Sequence, residues 1–178
     1  ADGIYRNLRY YQERGKELSD VMLEISALRK LIPHQETVQE LMGLEGNIHK
    51  LYYEAWNQII NQELEFERRV KRPPDNVINT MISFVNSLIY TTVLSQIYHT
   101  HLNPTISYLH EPGVRRFSLA LDLAEIFKPL IGDRLIFSML NKNQITEDSF
   151  TKGLNYSQLT ETGSKKILAE FDKRLNTT

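Results

Sequence analysis

One carboxylate, Glu45, falls inside the apolar stripe of a predicted helix. Helical spacing places it on the same face as Leu41 and Ile48, so its side chain is expected to point toward neighbouring helices. Burying a carboxylate is costly unless a cation or hydrogen-bond donors compensate for the lost hydration. Glu45 is therefore a candidate metal ligand. The alternative is that it lies at the margin of the stripe, near Gly43 and Gly46, and reaches water.

A second group of carboxylates, Asp122 and Glu125, lies in the segment LALDLAEIFKP. On a helix, this spacing brings both side chains within reach of one cation. Oxygen ligands in such clusters suit hard divalent ions such as Mg²⁺ and Mn²⁺. Taken alone, the pair favours a structural interpretation, because the pattern is common on polar helix faces and an Asp near a helix start complements the helix dipole.

His110 follows the apolar residues ISYL and precedes a turn, shortly before the carboxylate helix. A neutral imidazole there could complete a Glu/His/Glu site, and its presence shifts the expected ion from Ca²⁺ toward Mn²⁺ or Mg²⁺. His49, one helical turn from Glu45, is the competing histidine. Neither the HExxH nor the ExxH pattern occurs, because Pro112 follows His110-Glu111 and the step from Glu45 to His49 is one residue too long. Zincin and ferritin-like chemistry are therefore disfavoured.

Basic side chains flank these candidate ligands in two segments, FERRVKRPP and GVRRF; they include Arg68, Arg69, Lys71, Arg115 and Arg116. Basic clusters beside a metal site are typical of proteins that act on polyanions. The formal net charge of the whole chain is −1, far from the basic balance of most small DNA-binding proteins. The alternative is therefore a solvated basic loop.

The composition excludes several classes of protein. The 178 residues, of which 24% are charged and 10% aromatic, are typical of a globular chain. Cysteine is absent, which excludes disulfides, zinc–thiolate sites and Cys nucleophiles and fits a reducing compartment. Polar residues interrupt the longest apolar segment, Val77 to Tyr98, so no membrane span is predicted. The first residues lack both an initiator Met and the apolar core of a signal peptide, so we expect a processed chain or part of a longer one.

The elements that must position these residues are helical. Apolar residues recur at three- and four-residue spacing, and no alternating strand pattern is longer than a few residues. Breaks are predicted at Pro33 and at the KRPPDN turn, where Asp75 or Asn76 can cap the next helix. The prediction is an all-α fold, with helices at about 4–31, 38–59, 77–98, 118–140 with a kink at Pro129, and 157–175.

Four motifs occur together: the Glu-Gly pair of LMGLEGNIHKLYYEAW, the RRVKRPP turn before NVINTMISF, the Leu-His loop of ISYLH, and SLALDLAE. In this order and spacing, most clearly over residues 41–140, they resemble the CRISPR-associated spacer-acquisition integrases, the Cas-one family. The resemblance implies an α-helical C-terminal catalytic domain whose Mg²⁺ or Mn²⁺ is held by Glu45, His110 and Glu125. Asp122 is then the nearby catalytic carboxylate.

The resemblance also implies an activity and partners. The family is expected to cut DNA and to join the 3′-hydroxyl of a short duplex to a repeat phosphodiester, during CRISPR antiviral defence in the prokaryotic cytoplasm. Double-stranded or branched DNA would be held by the basic residues named above. Members form homodimers, which a small CRISPR-associated protein bridges in pairs.

Some features of this chain depart from the family pattern. Ser107 and Lys128 stand where Gly and Arg are usual, which affects the loop shape and the phosphate contacts rather than the metal. The family's β-rich N-terminal domain has no counterpart in this sequence, so residues 1–178 are expected to form a single helical catalytic domain. The alternative function is a non-catalytic helical domain that binds a protein partner through apolar grooves, with no response to divalent ions and tolerance of His110→Ala.

Overall fold

The computed structural model describes residues 1–64, 66–110, 117–153 and 157–177, apart from the side chain of Lys152. The predicted all-α class is confirmed, because helices dominate and the described residues form only one small sheet. The helices are α1 (Asp2–Gln12), α2 (Ser19–Leu31), α3 (Val38–Glu54), α4 (Trp56–Ile59), α5 (Val77–Ile97), α6 (Ser118–Phe127), α7 (Arg134–Asn141) and α8 (Glu161–Thr177).

The first predicted helix is in fact two helices, so the prediction of one helix over 4–31 was wrong. Gly15 adopts a φ of 87°, a left-handed conformation that glycine reaches without steric cost. The chain reverses there, and Leu18, fully buried, begins the approach to α2. Apolar side chains of both helices, including Ile4 and Ile25, then enter the common core.

The helix that carries Glu45 begins at a complete capping box. The Thr37 hydroxyl accepts a hydrogen bond from the Glu40 backbone N–H at 3.2 Å, and the Glu40 carboxylate accepts one from the Thr37 N–H at 3.0 Å. Such reciprocal bonds satisfy two of the free amides at a helix start. The predicted helix over 38–59 is interrupted at Ala55, so that the short α4 directs Trp56 into the core.

The long apolar helix α5 is the centre of the core. The Asn76 side chain accepts the Asn79 N–H at 2.8 Å, which confirms one of the two predicted caps. By length and composition α5 could cross a membrane. In this chain, however, it packs against α6, α7 and the turn Lys128–Asp133 between them. Its buried residues span most of its circumference, including Ile78, Val85 and Ile89.

The predicted kink at Pro129 is a π-helical turn, Lys128–Asp133, between α6 and α7. This turn approaches α5 closely at Gly132, where an added Cβ would lie 2.8 Å from Ile89 Cδ1 and 3.2 Å from Val85 Cγ1. Only glycine allows that approach without displacing a neighbour. The turn therefore lies firmly on α5, and it carries Lys128 and Asp133 to the candidate site.

A small antiparallel sheet was not predicted from the sequence. Strand β1 (Phe150–Lys152) pairs with β2 (Ser157–Leu159), and α8 begins at Glu161 rather than at residue 157. The strand β2 is joined to the start of α5, since the Thr80 hydroxyl donates to the Ser157 carbonyl at 2.9 Å and the Ser157 N–H donates to the Pro74 carbonyl at 2.9 Å. The sheet thus holds the proline turn that precedes α5.

Candidate metal centre

A polar cavity of about 500 Å³ lies between α3, residues 67–71 and the π-helical turn. Its walls carry both carboxylates and cations from separate parts of the chain. The charged and histidine residues that line it are Glu45, His49, Lys50, Glu54, Glu67, Arg68, Arg69, Lys71, His110, Glu125, Lys128 and Asp133. Three residues predicted as metal ligands, Glu45, His110 and Glu125, therefore face one cavity.

Within this cavity, the ligand atoms of Glu45, His49 and Glu125 all lie within 4.8 Å of one another. The Nε2 atom of His49 is 3.8 Å from Glu45 Oε1 and 4.0 Å from Glu125 Oε2. Glu45 and His49 lie one turn apart on α3, and Glu125 reaches them from α6. Two carboxylates and an imidazole at this separation are a donor set that fits a Mn²⁺ or Mg²⁺ ion.

The electrostatics of the three groups agree with that use. Burial raises the pKa of Glu45, and the nearby Glu125 carboxylate raises it further, so the two acids repel each other when both are charged. Burial lowers the pKa of His49, although Glu125 opposes the shift, so its imidazole is biased toward the neutral form that ligates metals. A cation between the carboxylates would relieve their repulsion.

His110 reaches the cavity from the loop before α6 and is held there by Asp122. The Asp122 Oδ1 atom lies 2.6 Å from His110 Nδ1, and only 8% of the Asp122 side chain is exposed. Because a carboxylate accepts hydrogen bonds, the neutral ring would carry its proton on Nδ1 and leave the Nε2 lone pair available. A carboxylate bound to the far nitrogen of a histidine is the usual support of a metal-binding imidazole.

The Asp122 carboxylate also binds the backbone of the loop. It accepts the N–H groups of Tyr108 at 2.6 Å, of Leu109 at 3.0 Å and of His110 at 3.3 Å. Burial alone would raise the pKa of Asp122, but the hydrogen bonds from the His110 ring and from these amides outweigh it and lower the pKa. Asp122 thus supports His110. The spacing of the two acids had suggested that Asp122 would lie beside Glu125, but Asp122 does not line the cavity.

Two further hydrogen bonds fix this loop on the start of α6. The Ser118 hydroxyl donates to the Thr105 carbonyl at 2.7 Å, and the Leu119 N–H donates to the Pro104 carbonyl at 3.0 Å. Ser118 is the first residue of α6, and Phe117 is its N-cap. The Ser107 hydroxyl donates to the His110 carbonyl and so closes the loop on itself.

Lys128, one turn after Glu125, donates its ammonium group to Glu125 Oε1. The other oxygen, Oε2, is the one that faces His49. The Lys128 ammonium group therefore holds one oxygen of the Glu125 carboxylate, and the other oxygen is directed to His49. The Lys128 side chain also lines the cavity.

The basic segment before α5 contains two kinds of arginine. Arg69 donates from Nη1 to Asn79 Oδ1 at 3.0 Å and from Nη2 to Ser83 Oγ at 2.9 Å, so it is bound into the fold while it lines the cavity. Arg68 and Lys71 line the same cavity with exposed side chains. Arg115 and Arg116 lie outside the described residues.

A buried polar network behind the cavity was not predicted from the sequence. Asn7 Nδ2 donates to the Tyr52 hydroxyl at 3.1 Å and to the Pro129 carbonyl at 2.6 Å, and Arg134 Nε donates to Asn7 Oδ1 at 2.7 Å. The Tyr52 hydroxyl in turn interacts with Asp133, whose pKa burial raises to about 7. The network joins α1, α3 and the π-helical turn, and so holds together the elements behind the cavity.

His49 and Asp133 are two of the cavity residues that sequence reasoning left out of the site. His49 was considered only as a competitor of His110, whereas the structure places both histidines in the same cavity. The signal for His49 was its spacing from Glu45, which puts two side chains on one face of α3. No local signal marked Asp133, because its position depends on the π-helical turn.

Comparison with known proteins gives consistent matches. The family described as "CRISPR associated protein Cas1" matches residues 1–173. The CRISPR-associated endonuclease Cas1 of Fusobacterium nucleatum subsp. nucleatum is 64% identical over 172 residues, which are 97% of this chain and 51% of the relative. The solved structure of TM1797, a CAS1 protein from Thermotoga maritima, has a TM-score of 0.85 at 40% identity and covers 96% of this chain and 54% of that one.

A more distant structure, a casposase bound to integration product, has a TM-score of 0.80 at 24% identity and covers 98% of this chain and 53% of that one. At this identity the similarity shows the fold alone. The chain spans about half the length of the curated relatives it matches. The family match over nearly all residues, and the close relatives in sequence and in structure, show that this chain belongs to the Cas1 family of CRISPR-associated proteins.

Proposed function

We propose that this chain is the metal-dependent catalytic domain of a DNA endonuclease and integrase that acts in CRISPR spacer acquisition. The observation that carries the proposal is the convergence of Glu45, His110 and Glu125 on one cavity with basic walls. Curated relatives of high identity are named endonucleases, which supports nuclease chemistry. The reaction proposed for the whole protein joins the 3′-hydroxyl of a short duplex to a phosphodiester of the repeat.

The metal would be Mg²⁺ or Mn²⁺, held by Glu45, His110 and Glu125. When bound there, it would supply charge stabilisation at the phosphodiester and lower the pKa of an attacking hydroxyl. Asp122 keeps His110 in the tautomer with a free Nε2. Lys128 holds one oxygen of Glu125 and places a positive charge beside it, which suits a bound phosphate.

The attacking group decides the outcome at such a site. A 3′-hydroxyl of a DNA end gives a joined product, while water gives a cut strand. Arg68 and Lys71 would bind the DNA backbone, where neutralised phosphates provide affinity that depends on salt and tolerates many sequences. Arg115 and Arg116 remain in the proposed DNA-binding set on sequence grounds, and Arg69 contributes its charge while bound to α5.

The assembly is part of the proposal as well. Residues 1–178 would form a single helical catalytic domain within a protein about twice as long, as the coverage of the relatives suggests. The whole protein would be a homodimer in the prokaryotic cytoplasm, with a small CRISPR-associated partner bridging two dimers. Double-stranded and branched DNA are the proposed substrates.

The test is plasmid nicking and strand joining with Mn²⁺, made on a protein that carries this chain at the length of its relatives. Glu45→Gln, His110→Ala and Glu125→Gln should each reduce the rate at least about a hundredfold, because each removes a ligand. Circular dichroism checks that each variant is folded, and Glu24→Gln, at an exposed position on α2, is the matched control. Unchanged cutting by any one ligand variant would remove that residue from the site.

The non-catalytic alternative makes the opposite prediction in the same experiment. A helical interaction domain would neither respond to divalent ions nor depend on His110. Activity without a divalent ion, or full activity of His110→Ala, would therefore contradict the metal-dependent proposal.

A further inference from the structure

His49 packs its ring near that of Tyr53, with centroids 5.8 Å apart, but this contact does not engage its nitrogens. Its Nε2 atom faces Glu45 Oε1 at 3.8 Å and Glu125 Oε2 at 4.0 Å, distances too long for hydrogen bonds. No hydrogen bond from the described residues reaches either nitrogen of the ring. The side chain is 26% exposed and it lies on the cavity wall. A polar ring in such a place usually has a partner.

An ion pair is a poor explanation of these distances. The two N···O distances are at the outer edge of ion-pair range, and neither carboxylate is close enough to form a hydrogen bond with the ring. Two ligands of one Mg²⁺ or Mn²⁺ ion, by contrast, lie about 3 to 4 Å apart when each bond is about 2.1 Å long. The His49 distances to both carboxylates match that separation.

The second histidine of the cavity does not compete for the same role. His110 comes from the loop before α6 and is supported by Asp122, whereas His49 comes from α3 beside Glu45. Both rings line the cavity that also contains Glu45 and Glu125. The two histidines therefore approach the cavity from different elements, and His49 is the one whose ligand atom lies within 4.8 Å of both carboxylates.

We propose that His49 is a fourth protein ligand, so that the centre holds its ion with two imidazoles and two carboxylates. The inference rests on the metal site of the proposed function and adds a residue to it. Imidazole nitrogen favours transition ions, whereas Mg²⁺ prefers oxygen. A centre with two histidines therefore selects Mn²⁺ over Mg²⁺, more strongly than one with a single histidine.

The test counts nitrogen ligands directly. Mn²⁺ is added to the chain, and electron spin-echo envelope modulation measures the coupling of the ion to the ¹⁴N nuclei of bound imidazoles. Two nitrogens are expected for the unmodified chain, one for His49→Ala, one for His110→Ala and none for the double variant. His34→Ala, at an exposed position in the turn after α2, is the control and should retain two.

Metal affinity gives a second, independent measurement. By isothermal titration, His49→Ala should weaken Mn²⁺ binding on the order of tenfold while it changes Mg²⁺ binding by less than about threefold. His49→Gln, which keeps a polar side chain of similar reach, should show the same loss of Mn²⁺ preference. This variant serves if His49→Ala is poorly folded by circular dichroism.

The outcomes separate this inference from the proposed function. If Mn²⁺ binding requires Glu45 and Glu125 but shows one nitrogen that persists in His49→Ala, the metal site stands and the role of His49 is refuted. If the Mn²⁺ signal is unaffected by Glu45→Gln with Glu125→Gln, or if no Mn²⁺ binds at all, both are refuted. Two nitrogens, one of them lost in each single histidine variant, establish the four-ligand centre.

Discussion

The carboxylate of Asp122 and the ring of His110 form a 2.6 Å hydrogen bond that joins the start of α6 to the preceding loop. The same carboxylate accepts three backbone amides of that loop. One buried acid therefore fixes both the position of the loop and the tautomer of the histidine. Its loss should affect ion binding at the proposed metal site, although Asp122 does not line the cavity.

Asp122→Asn should weaken Mn²⁺ binding about 10- to 100-fold, because the usual effect of removing the carboxylate behind a metal-binding histidine lies in that range. Isothermal titration at neutral pH measures the change. Asp20→Asn, at an exposed position in the first turn of α2, is the control. Equal affinities of the wild type and Asp122→Asn would show that His110 needs no such support.

Asp133 should make stability depend on pH in an unusual direction. Burial raises its pKa to about 7, whereas in the unfolded chain the group has its ordinary, lower pKa. Between these values the unfolded chain releases a proton that the folded chain retains, so stability falls as pH rises and levels off above the folded pKa. Relative to Asp133→Asn, the wild type should lose roughly 2–3 kcal/mol of unfolding free energy between pH 5 and pH 8.

Urea unfolding in the presence of EDTA measures this difference, since bound metal would otherwise add its own pH dependence. The Asn variant retains an amide oxygen that can accept the Tyr52 hydroxyl, and it has no charge to bury. Curves of stability against pH that run parallel for the two proteins would contradict the prediction.

Gly46→Ala and Gly43→Ala form a matched pair on α3. An added Cβ at either position meets no atom within 4 Å, so each should stabilise the helix by about 0.5–1 kcal/mol. Gly46 lines the cavity, whereas Gly43 does not. Gly46→Ala should therefore lower DNA cutting while Gly43→Ala preserves it. Thermal unfolding and plasmid nicking are the two measurements, and equal activity of the variants would show that the cavity tolerates a methyl group there.

Gly132→Ala should destabilise the fold, because its Cβ would lie 2.8 Å from Ile89 Cδ1. Overpacking of this kind costs about 1–3 kcal/mol. Denaturant unfolding measures the loss. Replacing Ile89 with Val in addition should recover part of it, since the colliding Cδ1 atom is then absent. A neutral effect of Gly132→Ala would mean that the π-helical turn is not held against α5.

Arg69→Ala and Arg68→Ala should separate structural from DNA-binding roles in the basic segment. Arg69 donates to Asn79 and Ser83, so its removal should cost about 1–3 kcal/mol of stability. Arg68 is exposed, so its removal should leave stability within about 0.5 kcal/mol and reduce the salt dependence of DNA binding. Unfolding curves measure the stability of each variant, and DNA binding at several salt concentrations measures the salt dependence. A loss of stability in Arg68→Ala, with a change in salt dependence only in Arg69→Ala, would contradict the prediction.

Local signals in the sequence predicted the elements that they control. The cap at Asn76 and the distortion at Pro129 follow from the chemistry of those residues, and both are present in the structure. The apolar pattern has a gap at Gly15 but resumes after it, so one helix was predicted where the structure has two. The small sheet was missed because Ser157 is held by Thr80 and Pro74, which are distant in sequence.

The candidate site likewise combines residues that the sequence pointed to with contacts that it did not. Glu45 was recognisable because a carboxylate on an apolar helix face needs an explanation, and His110 and Glu125 because the family motifs contain them. The support of His110 by Asp122 and the approach of His49 to Glu125 depend on how α3, α6 and the loop pack together. Periodicity along one helix cannot report contacts between two.

The order of elements along the chain also bears on how the protein is made. The elements that chiefly cover the apolar helix α5, namely α6, the π-helical turn, α7 and β2, all follow it in sequence. During synthesis, α5 therefore leaves the ribosome before most of the elements that pack against it have been made. Until β2 has emerged, the nascent chain exposes a long apolar segment, so aggregation during synthesis is the expected hazard at this stage.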